Sequence, residues 1–358
     1  MLRLSQMLSA SYLLLVLLIT GLTLWFGPLG WAPLQIPTIG PGGTPVVVRV
    51  AYSSEKDRWL QAAVQRYAAT KPRLGGHPIQ VELVANATVE MFETAKPTVY
   101  WPASRLQIEQ ARRQRMAYFI LTPQPMLLSP LVLLTWNDPD RTNLLNEVLL
   151  SDDFWNQIQP LLDDGTLRLG ITDPLRNDSG QQVLVLRAVG CTEDVQTCFT
   201  SLAASISNPS SNPSQLLTNM LLLSQYNVIA TPEHLAIEAL NTQTTDKDGN
   251  QLQVLYLPET ILSDHPYAIL SAPWITRDQQ RAAEQVREFL YAPEIQQLAA
   301  QEYGFRPANL QARINPNDVA SPFYRYAAQG LNLNLLPQVE TPTGETIQSL
   351  IAAWRNAE

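Results

Sequence analysis

Short runs of apolar and branched residues recur along this chain, each followed by a polar turn and then by apolar residues at helical spacing. Val46 to Val50 (VVVRV) is the first run; Ser53 and Ser54 follow it, and Trp59, Leu60, Ala63, Val64 and Tyr67 then repeat with the period of one helix face. Ser54 is the expected cap of that helix. Pro78 to Leu83 and Lys96 to Tyr100 read as further strands, and Ser104 to Gln107 as a capping box that opens an arginine-rich helix with a solvated face. Leu131 to Trp136, Leu167 to Ile171, Tyr226 to Ala230, Leu252 to Leu257 and Tyr267 to Leu270 continue the strand series. Between them lie helical segments at Ser151 onward, Val183 to Val189, Leu216 to Leu223, and a stretch whose cap and first position are Thr231 and Pro232. A box at Thr276 to Gln279, Pro293 and a terminal stretch near Glu345 to Trp354 each mark one more helix. Such an order predicts parallel sheet with helices packed between the strands, an α/β fold. No internal repeat interrupts it.

The N-terminal part of the chain obeys a different pattern. From Leu4 to Val48 there is no Asp, Glu, Lys or Arg, and Met7 to Phe26 is apolar over about the 20 residues a helix needs to cross a bilayer. Arg3 is the single charge before it, which places the N-terminus inside and the body outside. Residues 1–28 are therefore read as a transmembrane anchor or, alternatively, a cleaved signal; either exports the body to the membrane surface or the exterior. Residues 29–44, with Pro33, Pro37, Pro41 and the Gly42-Gly43 pair, read as a stiff tether. Export also permits Cys191 and Cys198 to close a small structural disulfide loop, the alternative being two buried thiols.

Charge and motif content narrow the function. Lys and Arg number 24 against 32 Asp and Glu, a net charge of −8, which gives a nonspecific nucleic-acid binder no basic surplus. His77, His234 and His265 are scattered with no HExxH, no cysteine-only zinc site can form, and no phosphate-binding glycine loop or GxSxG is present. No metal, cofactor or catalytic residue is assigned, and the chain is not expected to be an enzyme; an exported hydrolase is the least favoured class. The pair Asp264-His265 has no nucleophile indicated beside it and fits a hinge turn before Pro266.

Six stretches carry a resemblance: KPTVYWPAS from Lys96, LLSPLVLLTW from Leu127, LRLGITDPLRNDSG from Leu167, YNVIATPEHLAI from Tyr226, SDHPYAILSAPW from Ser263 and EYGFRPAN from Glu302. In this order they resemble the bacterial extracellular solute-binding proteins of the two-lobed type II, and more closely the subgroup related to molybdate and sulfate binders that often precedes a von Willebrand factor A domain. The resemblance implies a periplasmic-binding-protein-like fold with two α/β lobes joined by crossover strands. Residues 45–130 plus 266–358 would form one lobe and 131–265 the other. It implies a small-molecule ligand in the interlobe cleft, and as partner a permease or a separately encoded A-domain protein.

In such a cleft, strand-end loops and helix N-termini meet the ligand. Ser53, Ser54, Ser104 and Ser179 would supply hydroxyls, Asn177 an amide, Gly180 a close backbone approach, and Tyr100 and Trp101 rings on which a sugar-like solute stacks. Glu233 is divided between the cleft and a helix N-terminus, and Asp173 is read as fixing its loop. An oxyanion suits the serine array, whereas Glu55 and Asp178 count against a small dianion. The alternative reading is a membrane-tethered scaffold with a degenerate cleft, favoured by the short segment from Asn86 to Lys96; a cleft plugged by Met91 or Phe92 would sink the binding reading.

Overall fold

A computed structural model describes residues 43–86, 88–151, 153–206, 208–242, 245–334 and 337–358. The expected membrane or signal helix and most of the tether lie outside these. Among the described residues no helix is long and apolar enough to cross a membrane.

Among the described residues, twelve strands form two sheets. The first sheet contains β1 (Val46–Tyr52), β2 (Arg73–Leu74), β3 (His77–Ala85), β4 (Val99–Trp101), β5 (Gln124–Pro125) and β11 (Pro266–Ile269), in the order β2-β3-β1-β4-β11-β5. β1 runs parallel to β3 on one side and to β4 on the other, with Val50 opposite Val99 and Tyr52 opposite Trp101. The chain leaves β1 toward β3 and returns as β4 on the far side, so the β1/β4 boundary is a switch point in strand order, where α/β sheets open a crevice. The helix Asp57–Ala69 between β1 and β3 buries Trp59, Leu60, Ala63 and Tyr67, the face read from the sequence.

The second sheet is built on β6 (Leu127–Trp136). β8 (Val228–Pro232) and β9 (Leu252–Tyr256) flank its second half antiparallel, and β7 (Leu169–Gly170) joins β8 in parallel. Its first half pairs with β10 (Leu262–Ser263) and β12 (Arg306–Pro307). β6 is buried on both faces, as a continuous apolar strand requires.

Two short crossings link the sheets, from β5 to β6 at Met126 and from β10 to β11 at Asp264-His265. The two crossing segments lie side by side, since β10 pairs with β6 and β11 with β5. The tail departs from the expected 266–358 assignment. Residues through Phe305 pack in the first core with Trp59 and Trp101, but Phe323 and Leu331 join Val132 and Ile237, and Ile347, Ile351 and Trp354 of the helix Gly344–Ala357 join Leu131, Phe199 and Leu202. The apolar face of the last helix lies against both lobes, on Leu106 of the helix Arg105–Arg115 as well as on Phe199 and Leu202.

Two expected caps are also corrected. Ser54 begins a single 3-10 turn, Ser54–Lys56, ahead of the helix and makes no capping bond. Thr231 and Pro232 complete β8, and the helix starts at Glu233. The box at Thr276 forms, Thr276 and Gln279 satisfying each other, whereas the one expected at Ser104 does not: the Ser104 hydroxyl accepts from the Leu106 amide and Gln107 takes the Ala103 amide instead. Cys191 and Cys198 are joined by a disulfide across a 6.2 Å Cα–Cα distance.

Candidate functional site

The C-terminal ends of β1 and β4 release the chain at one edge of the first sheet, giving Ser53-Ser54-Glu55 and Pro102-Ala103-Ser104. The ends of β7 and β8 release the segments 171–179 and 232–235 from the second. Between them lies a cavity of about 580 Å³. Ser53, Ser54, Glu55, Asn86, Thr88 and Tyr100 line it from the first lobe, and Arg176, Asn177, Asp178, Ser179, Ser211 and Asn212 from the second.

The floor is ionic. Lys56 is fully buried, and its Nζ donates to Ser53 Oγ (2.5 Å), Glu55 Oε1 (2.9 Å) and the Trp101 carbonyl (3.2 Å). Ser53 Oγ in turn donates to Glu55 Oε1 at 2.5 Å. Burial opposes the charged form of Glu55, but Lys56 and the Ser53 hydroxyl outweigh it and hold the carboxyl below its ordinary value. Burial likewise pulls the Lys56 ammonium down, against Glu55 and Asp178, which hold it up.

Asp178 is the first residue of the helix Asp178–Val189. Its Oδ1 accepts from the Ser104 hydroxyl at 2.5 Å and its Oδ2 from Gln182 Nε2 at 3.0 Å. Burial, with the nearby Glu55 and Asp264 carboxylates, pushes Asp178 up to about 7, although Ser104 and Lys56 favour its ionised form. Behind this floor, His265 stands 3.5 Å from Glu55, and His234 stacks on Phe305 at 4.1 Å. Both imidazoles are buried; burial first, then Lys56 among other neighbours, holds His265 well below its usual range, and His234 falls to about 3. Neutral, they bring no positive charge to the cavity. Asp264 bonds the Arg105 amide (2.8 Å) rather than either imidazole.

Of the residues singled out in the sequence, Ser53, Ser54, Tyr100, Asn177 and Ser179 line the cavity together. Four do not. Trp101 is fully buried, edge-on to Trp59 at 5.6 Å, with its indole N–H on the His265 carbonyl. Ser104 lies beneath the surface as helix cap and donor to Asp178. Gly180 packs so closely on the segment before its helix that a Cβ would stand 2.3 Å from the Thr172 carbonyl oxygen. Glu233 is fully buried and held by Arg306 at 2.6 and 2.7 Å and by the Tyr256 hydroxyl at 2.5 Å. Asp173 accepts from the Leu175 amide, fixing its loop. Sequence reasoning missed Lys56 and Arg306, since a single Lys or Arg carries no signal of burial by itself. Phe92 sits in a core with Tyr100 and Phe119, and Met91 is 43 % exposed, so neither fills the cavity.

No protein-family model matches the chain, and no curated protein does. Solved structures do. The sulfate-binding protein SubI from Mycobacterium tuberculosis superposes with a TM-score of 0.53 at 15 % identity, covering 87 % of this chain and 97 % of that one. A ferric binding protein from Campylobacter jejuni gives 0.62 at 10 % identity over 87 % and 99 % of the two chains. A periplasmic thiamin binding protein gives 0.60 at 13 % identity over 88 % and 98 %. The body therefore has the two-lobed α/β architecture of the type II solute-binding proteins. At these identities the likeness is one of fold.

Proposed function

We propose that this chain is an extracytoplasmic solute-binding protein whose lobes close on a small ligand in the cavity between them, either handing it to a permease or acting as a sensor. One observation carries the reading: the cavity is open, polar and lined from both lobes, and it sits beside the two crossing segments about which a hinge motion would turn. The charge-free N-terminal stretch supports the location, as a single-pass anchor or a removed signal. A permease, or a separately encoded von Willebrand factor A domain protein, is the partner this role calls for. No residue is given a catalytic part. Of the two ligand classes suggested by the sequence, an oxyanion and a sugar-like solute, the carboxylates at the floor count against the first.

The test is a thermal-shift screen of the full chain against oxyanions, sugars, amino acids, polyamines and divalent metals. A ligand that binds only the folded form must raise its apparent stability. A saturable rise, lost in Ser54→Trp, which fills the cavity from an exposed position, supports a solute binder. A flat response throughout favours the scaffold reading.

A further inference from the structure

We propose that the ligand is an organic cation, an amine- or amidine-bearing solute whose charged group lies between Glu55 of the first lobe and Asp178 of the second. This rests on the solute-binding reading above and adds the sign of the ligand's charge.

The argument is an accounting of donors and charges. An oxyanion taken out of water needs donors that are free to turn toward it. Several of those around this cavity are committed elsewhere. The Ser53 hydroxyl donates to Glu55, the Ser104 hydroxyl to Asp178 and the Ser211 hydroxyl to Gln215, while the Asn177 amide donates to the Ser211 carbonyl at 2.8 Å. The backbone N-termini that could hold an anion carry their own: Glu55 lies in the first turn after β1, and Asp178 is the first residue of its helix. The cations are also accounted for. Lys56 is buried with its protons directed at Ser53, Glu55 and Trp101, and Arg176 stands at the rim, largely exposed, 3.6 Å from Asp173. Two carboxylates, Glu55 from one lobe and Asp178 from the other, are among the groups that line the cavity.

The carboxylates belong to different lobes, so a cation held between them attracts both as the lobes close. A cation would favour the closed form and an anion would oppose it. Ligand charge and lobe closure are thereby coupled. The groups around Asp178 are Ser104, Gln182, Glu55, Asp264, Lys56 and Tyr100. Because Asp178 is held near neutrality by this surrounding, a cation must drive its proton off. Binding then releases a proton below about pH 7 and tightens as pH rises through that value; an anion would show the reverse sign.

Calorimetric titration of the full chain with spermidine, choline, arginine, sulfate, molybdate and maltose tests this, using wild type, Asp178→Asn and Glu55→Gln. The expected result is saturable binding of one of the three cations and at least tenfold weaker binding in Asp178→Asn. Proton release, read from buffers of different ionisation enthalpy, should be present in wild type and absent in that variant. Glu55→Gln strips Lys56 of its counter-ion and can fail to fold, whereas Asp178→Asn leaves that pair intact. Sulfate or molybdate binding that strengthens in Asp178→Asn, or maltose binding that is indifferent to it, would overturn the inference and leave the solute-binding reading standing. Silence from all six probes in the thermal screen and in calorimetry alike would overturn both.

Discussion

Replacing Asp178 by Asn should make the protein's stability less dependent on pH, by an amount that follows from the site. Asp178 is pushed up to about 7 from an ordinary 3.8, chiefly by burial. A carboxyl raised in the folded state keeps its proton there while the unfolded chain has lost it. Its favourable contribution is complete below about pH 4 and is lost as pH rises through about 7. Between about pH 5 and pH 7 that is two units at about 1.4 kcal/mol each, or about 3 kcal/mol, and little more is lost by about pH 8. The variant has nothing to titrate. The site can accept it: the Asn oxygen still takes the Ser104 hydroxyl, and Gln182, whose Oε1 has no partner, can turn its amide to accept from the new NH₂. The assay is urea unfolding of both proteins at several pH values. The stability of the variant relative to wild type should rise by about 3 kcal/mol from about pH 5 to about pH 8. A difference flat to within about 1 kcal/mol would mean that Asp178 is ionised throughout, and the account of a dry, acidic floor would fail.

Three further outcomes follow from burial and packing. Arg306→Met should cost about 3–5 kcal/mol by leaving Glu233 buried without its partner, while the double variant Glu233→Leu with Arg306→Met should recover much of that loss in the same unfolding assay. Cys191→Ser with Cys198→Ser should lose about 2–3 kcal/mol, the loop-closure value for a separation of 7 residues, with the fold's circular dichroism unchanged. Gly180→Ala should lower the melting temperature by several degrees, because its Cβ would meet backbone on two sides, at 2.3 Å from Thr172 and 2.9 Å from Pro174, and neither can yield as a side chain end would.

Much of the α/β order was legible because each element carries its own local signal. VVVRV forms the strand read from it, and Thr276 with Gln279 closes its box within four residues. Val183 to Val189 was legible only from context. Its branched residues suit a strand, but the helix Asp178–Val189 is buried along most of its length, so packing outweighs propensity. The tail was not legible, because an amphipathic face states that a partner is needed without stating which; the face of Ile347, Ile351 and Trp354 meets Phe199 and Leu106. The site divides in the same way. Ser53, Ser54, Asn177 and Ser179 follow strands in the sequence and line the cavity, since in this fold the strand ends are the cleft. Trp101 and Ser104 follow a strand equally closely but point below the floor, and alternation over the three residues of β4 is too short to tell the two faces apart. Lys56 and Asp178 acquire their character only from burial by groups distant in the chain, among them Trp101, Ser104 and Asp264.

The central claim is that two lobes close on a ligand held between them. Small-angle X-ray scattering of the full chain, without and with saturating amounts of whichever compound gives the largest thermal shift, tests it directly. The account predicts a smaller radius of gyration in the presence of that compound, and no change on its addition to the Ser54→Trp variant. Saturable binding with an unchanged radius of gyration, equally present in Ser54→Trp, would contradict it and place the ligand somewhere other than the cleft.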